Sequence, residues 1–532
     1  MNTPENTPTQ PELAPAGPAL NDFNMGHKSR LGLSFVFMVL VLGVTYMVMP
    51  NTLHPQLLIF ASLVGAYMAL NIGANDVANN VGPAVGSGAL TLGAAIVLAA
   101  IGEAAGALIA GGNVVGTIKS GIINPELVHD AQTFVWLMAG ALAAGAIWLN
   151  FATWMGAPVS TTHSIVGGIL GAGVAAGGFA IANWGKMGAI AASWVISPVM
   201  GGVIAATLLM FIKRAILYQD DVKTAAQRYV PWLVGLMAWA FTSYLLTKGL
   251  KKIWHPSAPE AFGWGLVVAA IAYFLTRKRL QSIGDRIENS IAGVNKLFTI
   301  PLIFAAGLLS FAHGANDVAN AIGPLAAITE ALSSGEVAGK APIPLWVMLI
   351  GAAGLAVGLA LFGPKLIRTV GGEITELDKS RAYCIAMAAA ITVIIASQLG
   401  LPVSSTHIAL GGVFGVGFLR EYLKTRYASK LHQALDDHTG EARVQIEEYL
   451  KQFQSASVED MRAMLKKSSV QTATLPITEK ERKRLKKVYR QELVKRRHLY
   501  KIAAAWVITV PASALLGAMM FFMLRGMLMP AV

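Results

Sequence analysis

Asn71-Ile-Gly-Ala-Asn75-Asp76-Val-Ala-Asn79-Asn80-Val-Gly-Pro83 ends one long apolar run, and Ala312-His313-Gly-Ala-Asn316-Asp317-Val-Ala-Asn320-Ala-Ile-Gly-Pro324 ends another. Each copy places an acid among asparagines and glycines where an ionised carboxylate is costly unless something binds it. A second pair follows, Ala157-Pro158-Val-Ser160-Thr161-Thr162-His163 and Leu401-Pro402-Val-Ser404-Ser405-Thr406-His407. The aspartates are 241 residues apart and the prolines 244, so the chain is a duplicated unit with one element of each kind per half. Internal duplication of this sort is a transporter signature.

Composition sets the class. Hydrophobic residues make up 55% of the chain and charged ones only 13%, against roughly 25% charged in a soluble domain. Thirteen apolar stretches near the ~20 residues that cross a bilayer run from 31–49 to 502–524, and none shows the short alternation of a barrel strand. The reading is an all-α, polytopic helical membrane protein. The polar residues 1–30 read as a disordered cytoplasmic tail and 31–50 as an extra transmembrane helix. Then come repeat 1 (56–214), a linker with two transmembrane helices (215–296), repeat 2 (297–419), a basic cytoplasmic insertion (420–501) and the last helix of repeat 2 (502–528). The lone Cys384 permits no intrachain disulfide.

The net charge of +13 is concentrated: residues 420–501 hold 20 of the 42 Lys and Arg against 11 acids. Beside membrane helices such a run marks the cytoplasmic side and lies against anionic lipid, a reading preferred to nucleic acid. Within it, Val444, Tyr449, Leu450, Phe453, Val458, Met461 and Leu465 recur at helical spacing, which predicts a small amphipathic unit. The basic loops 213–228 and 277–296 and the N-terminus with Lys28 and Arg30 fall on the same side if 134–152 with 159–176, and 382–400 with 402–419, are re-entrant hairpins. The two repeats are then inverted, the N-terminus is cytoplasmic and the C-terminus periplasmic. The loop around Lys248 and Lys252 faces outward against the charge rule.

Chemistry follows from residue type. Sodium wants hard oxygen ligands, which Asp76, Asp317 and the asparagine amides supply, whereas a proton needs only a carboxylate. Gly73, Gly82, Gly314 and Gly323, with Pro83 and Pro324, are expected to break both signature helices and free carbonyls. Pro followed by Ser and Thr reads as a helix start, whose hydroxyls and free amides suit a tetrahedral oxyanion. His163 and His407 are either proton carriers or structural donors at those caps. Glu103 is an intramembrane acid with no basic neighbour in sequence. No nucleophile with a paired base, metal-binding Cys/His spacing or nucleotide loop is present, so an enzyme is not expected.

These motifs resemble the PiT family of inorganic phosphate transporters, the phosphate permease superfamily. The likeness covers 56–214, 297–419 and 502–524, extends to Val85-Gly-Ser-Gly-Ala-Leu-Thr91 and to Trp194-Val-Ile-Ser197 with Trp506-Val-Ile-Thr509, and reads as nearest the branch with plant plastid and animal members. The resemblance implies symport of phosphate with sodium or protons, with no bound cofactor, by a homodimer in a bacterial inner membrane. It implies that Asp76, Asp317, Asn79, Asn320 and Glu103 serve the cation, with Asp76 and Asp317 as metal ligands if that cation is sodium. It assigns Asn75, Asn316, Ser160, Thr161, Thr162, Ser404, Ser405 and Thr406 to the substrate. This chain departs from the family at Ala386 and Ala141, where many or some relatives carry glutamate. Sulfate or another oxyanion is the alternative substrate. A membrane sensor signalling through 420–501 is the alternative of another class.

Overall fold

The computed structural model describes residues 25–48, 54–128, 130–155, 159–249, 254–335, 343–372, 377–436, 448 and 496–528. Apart from one isolated bridge between Ile123 and Ala182, regular structure there is helical. The first half comprises α1 (His27–Val48), α2 (Pro55–Asn75), α3 (Val77–Gly86), α4 (Leu92–Ala110), α5 (Gly112–Ser120), α6 (Ala131–Trp154), α7 (Thr161–Gly177) and α8 (Trp184–Ile212). Then come α9 (Val222–Tyr244), α10 (Ala258–Ser282) and α11 (Ile291–Leu297). The second half is α12 (Thr299–Ser334), α13 (Leu345–Gly372), α14 (Lys379–Gln398), α15 (Ser405–Asp436) and α16 (Arg496–Leu528). Eleven described stretches are long and apolar enough to cross a membrane, so this is a multi-pass membrane protein.

Local chemistry sets the boundaries. Asp130, Ser160, Asn183, Asp221 and Asp378 each accept a backbone N–H three residues on, which starts α6, α7, α8, α9 and α14. Helix α14 stops at Gly400, whose φ of 65° only glycine adopts readily. The Gly400 amide donates to Ser397 O and the Leu401 amide to Ala396 O, a Schellman closure that turns the chain toward Pro402. Helix α1 begins at His27 rather than 31, because the Gly26 carbonyl already accepts the Arg30 amide. Helix α15 runs into the basic insertion as far as Asp436 and α16 starts inside it at Arg496. The expected tail, apart from 25–30, and the amphipathic unit at Val444 to Leu465, apart from Glu448, lie outside the described residues.

The two halves interlock. Helix α2 packs on α13 of the other half and α12 on α4; likewise α7 packs on α16 and α15 on α8. At these crossings glycine lets backbones touch. A Cβ at Gly73 would collide with Leu355 O and one at Gly358 with Leu70 O, while Gly314 and Gly106 stand in the same relation to Glu103 O and Phe311 O. The signature glycines therefore serve close packing, and this corrects the expected breakage of both helices. Only the first is interrupted, at the single residue Asp76, whose carbonyl is not freed but accepts from the Asn79 backbone (3.0 Å) and side-chain (3.1 Å) nitrogens. Helix α12 continues through Gly314, Asp317 and Pro324.

Buried side chains form two large apolar clusters. Leu58, Ala61, Met68, Ala69 and Ile72 belong to one and Val77 to Val85 to the other; along α12 the change comes between Ala315 and Val318. Both aspartates thus sit where a helix passes from one core to the other. Asp317 is the nineteenth of the 36 residues of α12, so hairpin tips that reach it end in mid-bundle.

Candidate functional site

The tips of the α6–α7 and α14–α15 hairpins meet the two aspartates. Thr161 Oγ1 donates to Asp76 Oδ2 (2.7 Å) and Thr406 Oγ1 to Asp76 Oδ1 (3.0 Å). Ser405 Oγ donates to Asp317 Oδ2 at 3.0 Å, and Thr161 lies 3.5 Å from the same oxygen. The asparagines cross between halves: Asn79 Nδ2 donates to Thr406 Oγ1 (2.9 Å), and Asn320 Nδ2 to Thr162 Oγ1 (3.1 Å) and Thr161 Oγ1 (3.3 Å). Thr162 Oγ1 in turn donates to Val403 O (2.9 Å), joining the two tips. Ser160 and Ser404 are caps, their hydroxyls accepting the amides of His163 and His407. Their helices open with amides that have no intrahelical acceptor.

The sequence treated the acids and the hydroxyls as two sets. The structure brings them together as one buried site, with Asn75, Asp76, Asn79, Ser160, Thr161, Thr162, Asn316, Asp317, Asn320, Ser404, Ser405 and Thr406 all withdrawn from solvent. Sequence reasoning missed Thr153 and Ser397, which accept from Asn75 Nδ2 (2.8 Å) and Asn316 Nδ2 (3.0 Å). The two are 244 residues apart, the hairpin spacing itself, and that was the signal available. It also missed His313, although the residue stands inside the quoted motif.

His313 links Glu103 to Asp317. Its Nδ1 lies 2.8 and 2.7 Å from the two Glu103 oxygens, its Nε2 lies 3.0 Å from Asp317 Oδ2, and all three side chains are fully buried. Asn80 Nδ2 donates to Glu103 Oε1 at 2.8 Å. Glu103 therefore has a partner after all, 210 residues away in sequence.

Charge accounting points to a cation. Three buried carboxyl groups face one imidazole, hydroxyls and amides, an arrangement that burial penalises unless positive charge is added. Among the described residues, buried oxygens of Asn75, Asn79, Asn80, Asn316, Asn320 and Asp317 (Oδ1) accept no hydrogen bond. Ligand atoms of Asp76, His313 and Asp317 lie within 4.8 Å of one another. Hard oxygens in this number suit a small cation.

His163 and His407 take no part in that cluster. Their ring centroids are 4.6 Å apart, with Trp194 3.8 Å from His163 and Trp506 3.7 Å from His407, a row of four rings of which only His407 and Trp506 are stacked. Trp194 Nε1 donates to Pro402 O (3.1 Å) and Thr117 Oγ1 to Gly400 O (2.7 Å), which hold the second tip. Pro158 lies outside the described residues.

Residues 72–517 match the model of the phosphate transporter family. This chain belongs to that family. It is a membrane transporter and not an enzyme. A Helicobacter pylori (strain J99) protein named "Putative phosphate permease" is 53% identical over 475 residues, covering 87% of this chain and 89% of that protein. A Pyrococcus abyssi protein of the same description is 39% identical over 365 residues, covering 68% and 89%. A solved structure titled "The sodium-dependent phosphate transporter" superposes with a TM-score of 0.72 at 31% identity, covering 89% of this chain and all of the other.

Proposed function

We propose that this transporter carries inorganic phosphate into the cell together with sodium. The observation that carries the reading is the meeting of two hydroxyl-lined helix starts with two buried aspartates ringed by amide oxygens that accept nothing. The named neighbours, phosphate permeases and a sodium-dependent phosphate transporter, support both ligands. In this reading Asp76 and Asp317, aided by Asn79 and Asn320, take the cation, and Glu103 holds the site's polarity through His313. Once sodium occupies the carboxylate oxygens, the hydroxyls of Thr161, Ser405 and Thr406 turn from the aspartates to the anion. Thr162, the caps Ser160 and Ser404, and Asn75 and Asn316 shape the rest of the cradle. Cation therefore binds before anion.

The same reading places the protein in a bacterial inner membrane as a homodimer, with the N-terminus cytoplasmic and the C-terminus periplasmic. The exchange of packing partners between halves is what inverted repeats produce. Uptake of radiolabelled phosphate into proteoliposomes, with sodium and pH gradients imposed separately, tests the proposal. A sodium gradient alone is expected to drive uptake. Uptake under a pH gradient only would replace sodium by a proton, and suppression by excess sulfate would change the substrate. Either result overturns the corresponding half.

A further inference from the structure

We propose that a groove along α8, between α15 and α9, binds an anionic phospholipid. The inference is independent of which anion the protein transports. Two cavities meet here and share Ala206 and Leu419. The first, about 700 Å³, is walled by apolar side chains including Trp194, Val199, Val203, Phe414 and Phe418. The second, about 720 Å³, is lined by Arg214, Gln219 and Tyr229, among others.

The groove is polarised from end to end. From Ala206 to Val195 the helix rises ~16 Å, close to the ~15 Å of hydrocarbon in one leaflet. In the other direction Arg214 is two turns away, where α8 widens into a π-helical turn at Lys213–Leu217, a departure common at functional sites. Gln219 Nε2 donates to Arg214 O (2.8 Å), and the Arg228 guanidinium lies 5.4 Å from the Tyr229 ring centre, so a second cation stands beside the same end. Thr207 spends its hydroxyl on Val203 O within the helix. Among the described residues no acid lines either cavity.

An apolar channel of leaflet depth that ends in guanidinium groups complements an acyl chain with a phosphodiester head. A second copy of the chain, packed through the same face, would set Arg214 near its own twin, with no acid among the described lining residues between them. The site also bears on the hairpin: α15 touches α8 backbone to backbone at Gly415 with Gly202 and at Gly411 with Pro198, and α15 begins with the Ser405 and Thr406 that bond the aspartates. Lipid in the groove braces that helix from the outside.

Native mass spectrometry of the full-length protein, titrated with dioleoylphosphatidylglycerol and dioleoylphosphatidylcholine, tests this. The wild type is expected to retain the glycerol lipid preferentially, Arg214→Gln to lower that retention about fivefold, and Ala206→Trp to abolish it. Arg214 is exposed, so its variant folds even where the tryptophan does not. Equal retention of the two lipids, or no change in Arg214→Gln, would overturn the proposal. So would displacement of lipid by millimolar inorganic phosphate, which would reassign Arg214 to a free anion. A disulfide between two copies bearing Val203→Cys with Cys384→Ala would put a second chain in the groove and reject lipid.

Discussion

Asp76 and Asp317 occupy equivalent positions in the two halves, yet their surroundings differ. Asp76 is met by hydroxyls alone, from Thr161 and Thr406; Asp317 has Ser405 and the His313 imidazole. The difference comes from the crossings of α12 with α4 and of α2 with α13. Gly314 rests on Glu103 O as Gly73 rests on Leu355 O, so Leu355 is the counterpart of Glu103 and, 241 residues before His313, Ile72 is its counterpart. One crossing carries a buried acid and imidazole, the other two aliphatic side chains. A symmetric frame thus holds a chemically one-sided site.

The largest expected effect is at the aspartates: Asp76→Asn and Asp317→Asn should each reduce phosphate uptake to that of protein-free vesicles while the purified protein stays monodisperse. Normal uptake by either would remove the carboxylate from coupling. Next, His313→Ile alone leaves Glu103 buried without its imidazole and should cost about 3–5 kcal/mol of stability, seen as a fall in melting temperature. The double variant Glu103→Leu with His313→Ile installs the other half's pair. It should recover that stability, since apolar replacement of a buried ion pair is neutral or better, and still fail in uptake; a double variant that transports normally would make the asymmetry functionally idle.

Smaller effects probe what the halves share. Gly73→Ala and Gly314→Ala each force a methyl against a neighbouring carbonyl, at about 1–3 kcal/mol, and similar losses are expected from both. Thr153→Val and Ser397→Ala remove one partner each from Asn75 and Asn316, at about 1 kcal/mol, read as matched rises in the KM for phosphate. Unequal rises would extend the one-sidedness to the asparagines.

Much of this was legible in the sequence, because duplication writes itself as a constant offset. The spacing of 241 and 244 residues located both aspartates, both hydroxyl-rich tips and the hairpins that carry them. What stayed hidden was either unrepeated or made by distance. His313 has no polar counterpart, so periodicity could not mark it, and its contact with Glu103, itself singled out as a lone intramembrane acid, exists only because α4 lies on α12. The unbroken α12 was hidden for another reason. Glycine and proline signal a break when neighbours are unknown, but here the glycines answer to backbone atoms of a helix from the other half.

That exchange of partners also sets a timetable for biogenesis. Gly73 leaves the ribosome 282 residues before Leu355, the residue it must touch. At ~5–20 residues per second this is a delay of roughly 15–60 s, during which α2 carries a glycine notch, with Asp76 just past its end, into the bilayer without its final neighbour. A chain truncated before α13 would keep that surface uncovered permanently, offering membrane quality control a simple mark of an unfinished molecule.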